Sequence, residues 1–183
     1  MPTVAAISGA PAETSRVNGL IGYARRKLEE NGVSVRTIQV TALPHSDLLL
    51  GKSDGAPIRE AVDSTTLADG VIVASPVYKA TYSGILKTFL DLLPPKGLSG
   101  KPVLPLFVGG TIAHLLAIDF GLKPVLSVLG ARCLLQGVYA VDDQVAREGD
   151  GVFRIAEEVR ARLDESVDEL LRFLPAAVKS PAS

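Results

Sequence analysis

A chain of 183 residues that is 47% hydrophobic and holds 12 prolines is long enough to bury one sizeable core, and it falls within the usual span of one domain. Its 19 Lys and Arg stand against 20 Asp and Glu, a formal net charge of −1, so it lacks the broad positive field that nucleic acid or an anionic membrane surface would require. No nucleic acid and no membrane is expected as partner, and any charged ligand must be met by a local site.

The run from Met1 to Ile7 has no basic start and stops at Ser8-Gly9, too short for a secretory signal or a membrane span. Cys133 is the only cysteine and cannot form an intrachain disulfide; in the apolar stretch from Ala131 to Leu135 it reads as a buried, inert thiol. A cytoplasmic location is the expectation.

In chain order, Val4 to Ile7 reads as a buried strand, and Val17 to Glu30 as a helix with Leu20, Tyr23, Ala24 and Leu28 on one face. Ser34 to Val40 alternates as a second strand, while Thr41 to Ala56, with Pro44, Gly51 and Gly55, reads as a long connection. Ile58 to Ala68 is a helix, Val71 to Val73 a third strand, and Ser83 to Leu93 a helix facing inward with Leu86, Phe89, Leu90 and Leu93. Val103 to Val108 and Leu134 to Val141 supply the fourth and fifth strands, and the alternation predicts a parallel sheet with helices on both faces. Helical spacing returns from Phe153 to Leu174; one domain over 1–174 and a disordered tail over 175–183 complete the expectation.

The stretch from Ala113 to Leu129 is almost free of a polar face, and Pro124 should kink or split it. Such a helix is either sandwiched within the monomer or buried against another subunit. A homo-oligomer is expected.

In an open parallel sheet the ligand crevice lies at the carboxyl ends of the strands, where strand order reverses. Three loops should therefore converge. The first, from Ser8 to Asn18, enters a helix N-terminus that favours an anion; Ser15 and Asn18 can add hydrogen bonds and Arg16 a charge, although Ser15 is also a good helix cap and Arg16 a good surface residue. In the second, from Ser75 to Gly84, Pro76 fixes the chain so that Val77 and Tyr78 face the crevice and a planar ring can rest there, with Ser83 capping the next helix. In the third, Gly109 and Gly110 permit close backbone approach and Thr111 can cap the next helix. His114, beside it, has no carboxylate or cysteine at a spacing that makes a triad or a metal site, so neither a catalytic residue nor a metal ligand is assigned.

Two patterns mislead. Gly51-Lys52-Ser53 ends like a phosphate-binding P-loop, but Ser46 stands where that loop needs its first glycine. Gly9 does not open a dinucleotide fingerprint either, because Pro11 and Thr14 occupy the later positions.

With those residues in view, the chain resembles the NAD(P)H-dependent FMN reductases of the flavodoxin-like superfamily, especially those that serve alkanesulfonate monooxygenases. The resemblance spans roughly residues 3 to 145 and is densest from Ala68 to Pro94 and from Gly109 to Asp119. It implies a flavodoxin-like three-layer α/β fold with a five-stranded parallel sheet in the order 2-1-3-4-5. It implies FMN as cofactor, NADPH or NADH as co-substrate, a homotetramer, and a monooxygenase that receives reduced flavin. By the same resemblance Ser15, Arg16 and Asn18 hold the phosphate, Pro76, Val77, Tyr78 and Ser83 border the ribityl chain and ring, and Gly109, Gly110 and Thr111 flank the ring. Ala10 and Ala12 stand where the family commonly has serine and arginine, which implies weak, exchangeable flavin, and Phe120 stands where sulfonate-type members carry a tyrosine beside the flavin, so that position lacks the hydroxyl. An FMN-retaining quinone or azo reductase is the alternative. A flavodoxin-type electron carrier is a third reading, but such carriers are strongly acidic and this chain is near neutral.

Overall fold

The computed structural model describes residues 1–149 and 151–175; the tail expected over 175–183 lies, past residue 175, outside the described residues. The first strand, β1 (Thr3–Ser8), leads into α1 (Arg16–Glu30), and β2 (Ser34–Gln39) returns beside it. A short helix α2 (His45–Leu50) and α3 (Ala56–Leu67) precede β3 (Gly70–Tyr78), which turns back as β4 (Thr81–Tyr82) before α4 (Gly84–Leu90). Then come β5 (Pro102–Gly109), a π-helical segment (Ala117–Leu122), α5 (Lys123–Val128), β6 (Cys133–Leu134) and β7 (Val138–Val141). A hairpin of β8 (Val145–Gly149) and β9 (Val152–Ile155) leads to α6 (Glu157–Phe173).

The parallel sheet runs β2-β1-β3-β5, with β6 and β7 both on the outer side of β5, which is the expected 2-1-3-4-5 order with its fifth strand in two pieces. Alternate residues of each strand feed opposite faces. Val4, Ala6, Ile72, Leu104 and Leu106 pack under α1 and α6, while Ala5, Ile7, Val71, Val73 and Phe107 pack under α3, α4 and α5. Burial on both sides explains why these strands read as continuous apolar runs.

Four expectations change. The connection over Thr41 to Ala56 contains α2, ended by Gly51 in the left-handed region (φ 67). The fifth strand is interrupted before Gly137 (φ 82), which sits against the Pro105 carbonyl. The segment from Phe153 to Leu174 is not helical at its start: Val145 and Ile155, buried on the hairpin, bring β9 across α1 before α6 begins. Cys133 is only partly buried, though burial raises the pKa of its thiol, with the charge of Glu169 adding to the effect. Pro124 does mark a break, with the π-helical segment ending just before it.

The turn between β3 and β4 carries strain. Tyr78 pairs with Thr81, leaving a two-residue loop in which Lys79 (φ 50) and Ala80 (φ 67) are both left-handed, the backbone of a type I′ turn without its usual Asn and Gly. Replacing Lys79-Ala80 by Asn-Gly is expected to raise stability by about 1–2 kcal/mol, read as a higher urea midpoint at constant slope.

Candidate functional site

The adjacent strands β1, β3 and β5 end together, and their loops meet over the point where the chain reverses from the β2 side of the sheet to the β5 side. A cleft of about 150 Å³ opens there, lined by Ser15 and Arg16 from the first loop, Pro76, Val77 and Tyr78 from β3, and Val108, Gly109 and Gly110 from β5. Asp142 and Arg147 close its remaining side. A larger groove of about 470 Å³ runs between α1, β9 and α6 past Tyr23, Phe153 and Arg154, but no residue of the three loops lines it.

Hydrogen bonds knit the loops together. Ser83, N-cap of α4, accepts from Leu86 N and donates its hydroxyl to Gly9 O at 2.7 Å, while its own N–H donates to the Ser75 hydroxyl at 2.8 Å. Its side chain is therefore buried and fully engaged, a link between the first and second loops outside the cleft lining. Asn18 pins the first loop from below: Nδ2 donates to Ala12 O and Glu13 O, and Oδ1 accepts from Ser8 Oγ at 2.8 Å. Thr111 caps the turn after β5 by accepting from Ala113 N, and its carbonyl accepts the Tyr139 hydroxyl at 2.7 Å. Burial, and then the charge of Asp142, raise the pKa of Tyr139, which therefore stays a donor well into the alkaline range.

Of the residues singled out in the sequence, Ser15, Arg16, Pro76, Val77, Tyr78, Gly109 and Gly110 line one cleft, whereas Asn18, Ser83 and Thr111 hold its walls. Asp142 and Arg147 escaped the sequence reading, because they come after the fifth strand, where no loop motif marks them.

The electrostatics favour an anion. Ser15 makes no side-chain capping bond and the first turn of α1 holds no acid, so the positive end of a 15-residue helix faces the cleft with no compensation from its own first turn. Arg16 is partly committed elsewhere, with Nε donating to Val145 O at 3.0 Å and a terminal nitrogen 3.8 Å from Asp142. Tyr78, half exposed, stands on the opposite lip as a flat apolar surface. Among the described residues there is no cluster of side chains able to hold a metal ion.

The profile of the NADPH-dependent FMN reductase family matches residues 2–146. A Pseudomonas putida protein named FMN reductase (NADPH) is 45% identical over 166 residues, covering 90% of this chain and 84% of its own. An Escherichia coli protein of the same name is 49% identical over 142 residues, covering 78% of this chain and 74% of its own. Among solved structures, the apo form of the NADH:FMN oxidoreductase EMOB superposes with a TM-score of 0.86 at 37% identity, covering 97% of this chain and 92% of that one. The match over residues 2–146 and relatives 45% and 49% identical, on a frame shared with a solved FMN oxidoreductase, place the chain in the NADPH-dependent FMN reductase family.

Proposed function

We propose that this protein is an NAD(P)H-dependent FMN reductase that delivers reduced flavin to a monooxygenase, in the cytoplasm and in the service of sulfonate sulfur assimilation. The observation that carries the reading is the single cleft shared by Ser15, Tyr78 and Gly110 at the ends of three neighbouring strands. FMN fits it in part. About 150 Å³ is well below the roughly 300–1,000 Å³ of a pocket that encloses a small molecule, so the cleft takes the phosphate end and leaves the ring on the open lip. Ser15 and the first turn of α1 would hold the phosphate, Pro76 and Val77 the ribityl chain, and Tyr78 with Gly109 and Gly110 the ring. Bound there, FMN would supply the redox chemistry, taking up a hydride from the nicotinamide co-substrate. The protein's part would be to align two planar rings, and no side chain need act as nucleophile or base.

An open lip would let flavin exchange, which supports the reductase reading over an FMN-retaining quinone or azo reductase. A neighbouring subunit can cover what the monomer leaves open. Ile112, Leu115, Leu116, Phe120 and Val128 are all exposed on the turns after β5 and the helical segments beyond them, an apolar surface that supports the homotetramer implied by the resemblance. No helix among the described residues is long and apolar enough to cross a membrane.

NADPH oxidation by the purified protein is expected to rise with added free FMN and saturate, and FMN is expected to leave the protein on gel filtration. Oxidation indifferent to added FMN would overturn the reading. Yellow protein with rapid quinone turnover would replace it with the quinone reductase.

A further inference from the structure

We propose that Arg147, on β8, is the cation that recognises the phosphate of FMN and so separates FMN from riboflavin. The inference rests on the flavin reading of the cleft.

Three charged side chains border the phosphate end of the cleft: Arg16, Asp142 and Arg147. Arg16, the cation nearest the start of α1, is held away from a ligand by its bond to Val145 O, and its charge is opposed by Asp142 at 3.8 Å. That pair leaves little net field for a dianion. Arg147 makes no ion pair or hydrogen bond among the described residues and faces the same cleft, so it carries the uncompensated positive charge there. Without it the cleft is formally neutral, with only the helix end to favour an anion.

The hairpin places Arg147 firmly. Its cross-strand partner is Phe153, which packs so closely on Gly19 of α1 that an added Cβ there would lie 2.7 Å from Phe153 Cγ. Val145, two residues before, is fully buried. A bulge between Arg147 and Gly149 twists the strand at this point, a device that re-aims a side chain. The backbone under Arg147 is thus tied to the first turns of α1, the element whose free N–H groups would meet the phosphate, while the exposed guanidinium is free to close on a ligand in bidentate fashion.

The test is a fluorescence titration of FMN and of riboflavin with the wild-type protein and with Arg147→Gln, at low and high salt. The wild type is expected to prefer FMN by about tenfold or more, the effect of one charge-assisted contact. Arg147→Gln should weaken FMN about tenfold, leave riboflavin affinity unchanged, and lose the salt dependence of the preference. Unchanged riboflavin binding shows that the variant is folded. A variant that keeps the full preference for FMN overturns this inference alone; a wild-type protein that binds neither flavin overturns the reading beneath it as well.

Discussion

Alanine at position 9 is expected to lower the unfolding free energy by about 2–3 kcal/mol and to weaken FMN binding beyond measurement. Its Cβ would lie 2.5 Å from Leu86 Cβ, 2.9 Å from Ser83 Oγ and 3.2 Å from Leu86 Cα, and none of these is the loose end of a flexible chain. Leu86 is fully buried, so α4 must retreat as a body. In retreating it pulls Ser83 from Gly9 O and from the Ser75 hydroxyl, the two bonds that hold the first loop against the second. Stability and binding should therefore fall together, read by urea denaturation and flavin titration. Gly84→Ala, on the same helix with nothing within 4 Å of the added carbon, serves as the near-neutral control. A Gly9→Ala protein with an unchanged midpoint would show that α4 is not fixed in this way.

The second large effect concerns the wall made by β5. An alanine at position 109 would place its Cβ inside the envelope of the Tyr139 hydroxyl oxygen and 3.0 Å from Tyr139 Cζ. The hydroxyl must swing off Thr111 O, releasing the turn that carries Gly110 and Thr111, at an expected cost of about 1–3 kcal/mol. Tyr139→Phe alone should cost about 1 kcal/mol, one hydrogen bond. Because it also removes the atom that collides, the double variant should be less destabilised than the sum of the two by roughly 0.5–2 kcal/mol. Strict additivity in that cycle would refute the contact. FMN affinity is expected to fall in the same order, since Gly109 and Gly110 form the wall on which the ring would lie.

The parts of this fold that were legible in the sequence are those where one physical signal dominates. The strands at the centre are buried on both faces, so β1, β3 and β5 announce themselves as apolar runs, and the loops after them stand out by their polar and glycine residues. What stayed hidden depends on long-range contact. The strand over Val152–Ile155 has a periodicity too short to separate from the helix next to it, and only burial of Val145 and Ile155 beneath the hairpin sets it. The two-piece fifth strand is likewise fixed by Gly137 meeting the Pro105 carbonyl, a contact between distant segments. At the site, residue type pointed to Asn18, Ser83 and Thr111, which brace the loops and do not line the cleft, because a hydroxyl or amide looks the same in sequence whether it meets a ligand or clamps a loop. Arg147 was invisible for the opposite reason: a lone arginine in a polar stretch acquires meaning only when the hairpin folds back on α1.

The interruption at Gly137 also bears on behaviour at high concentration. An open parallel sheet has a rim whose amides can template the addition of another molecule, and long, flat rims are where filaments begin. On the far side of β5 this rim is cut into pieces of two and four residues, set apart by a left-handed glycine. Neither piece is long enough to seed an intermolecular ladder, so self-association at that border is blocked by backbone geometry, whatever side chains the strand carries.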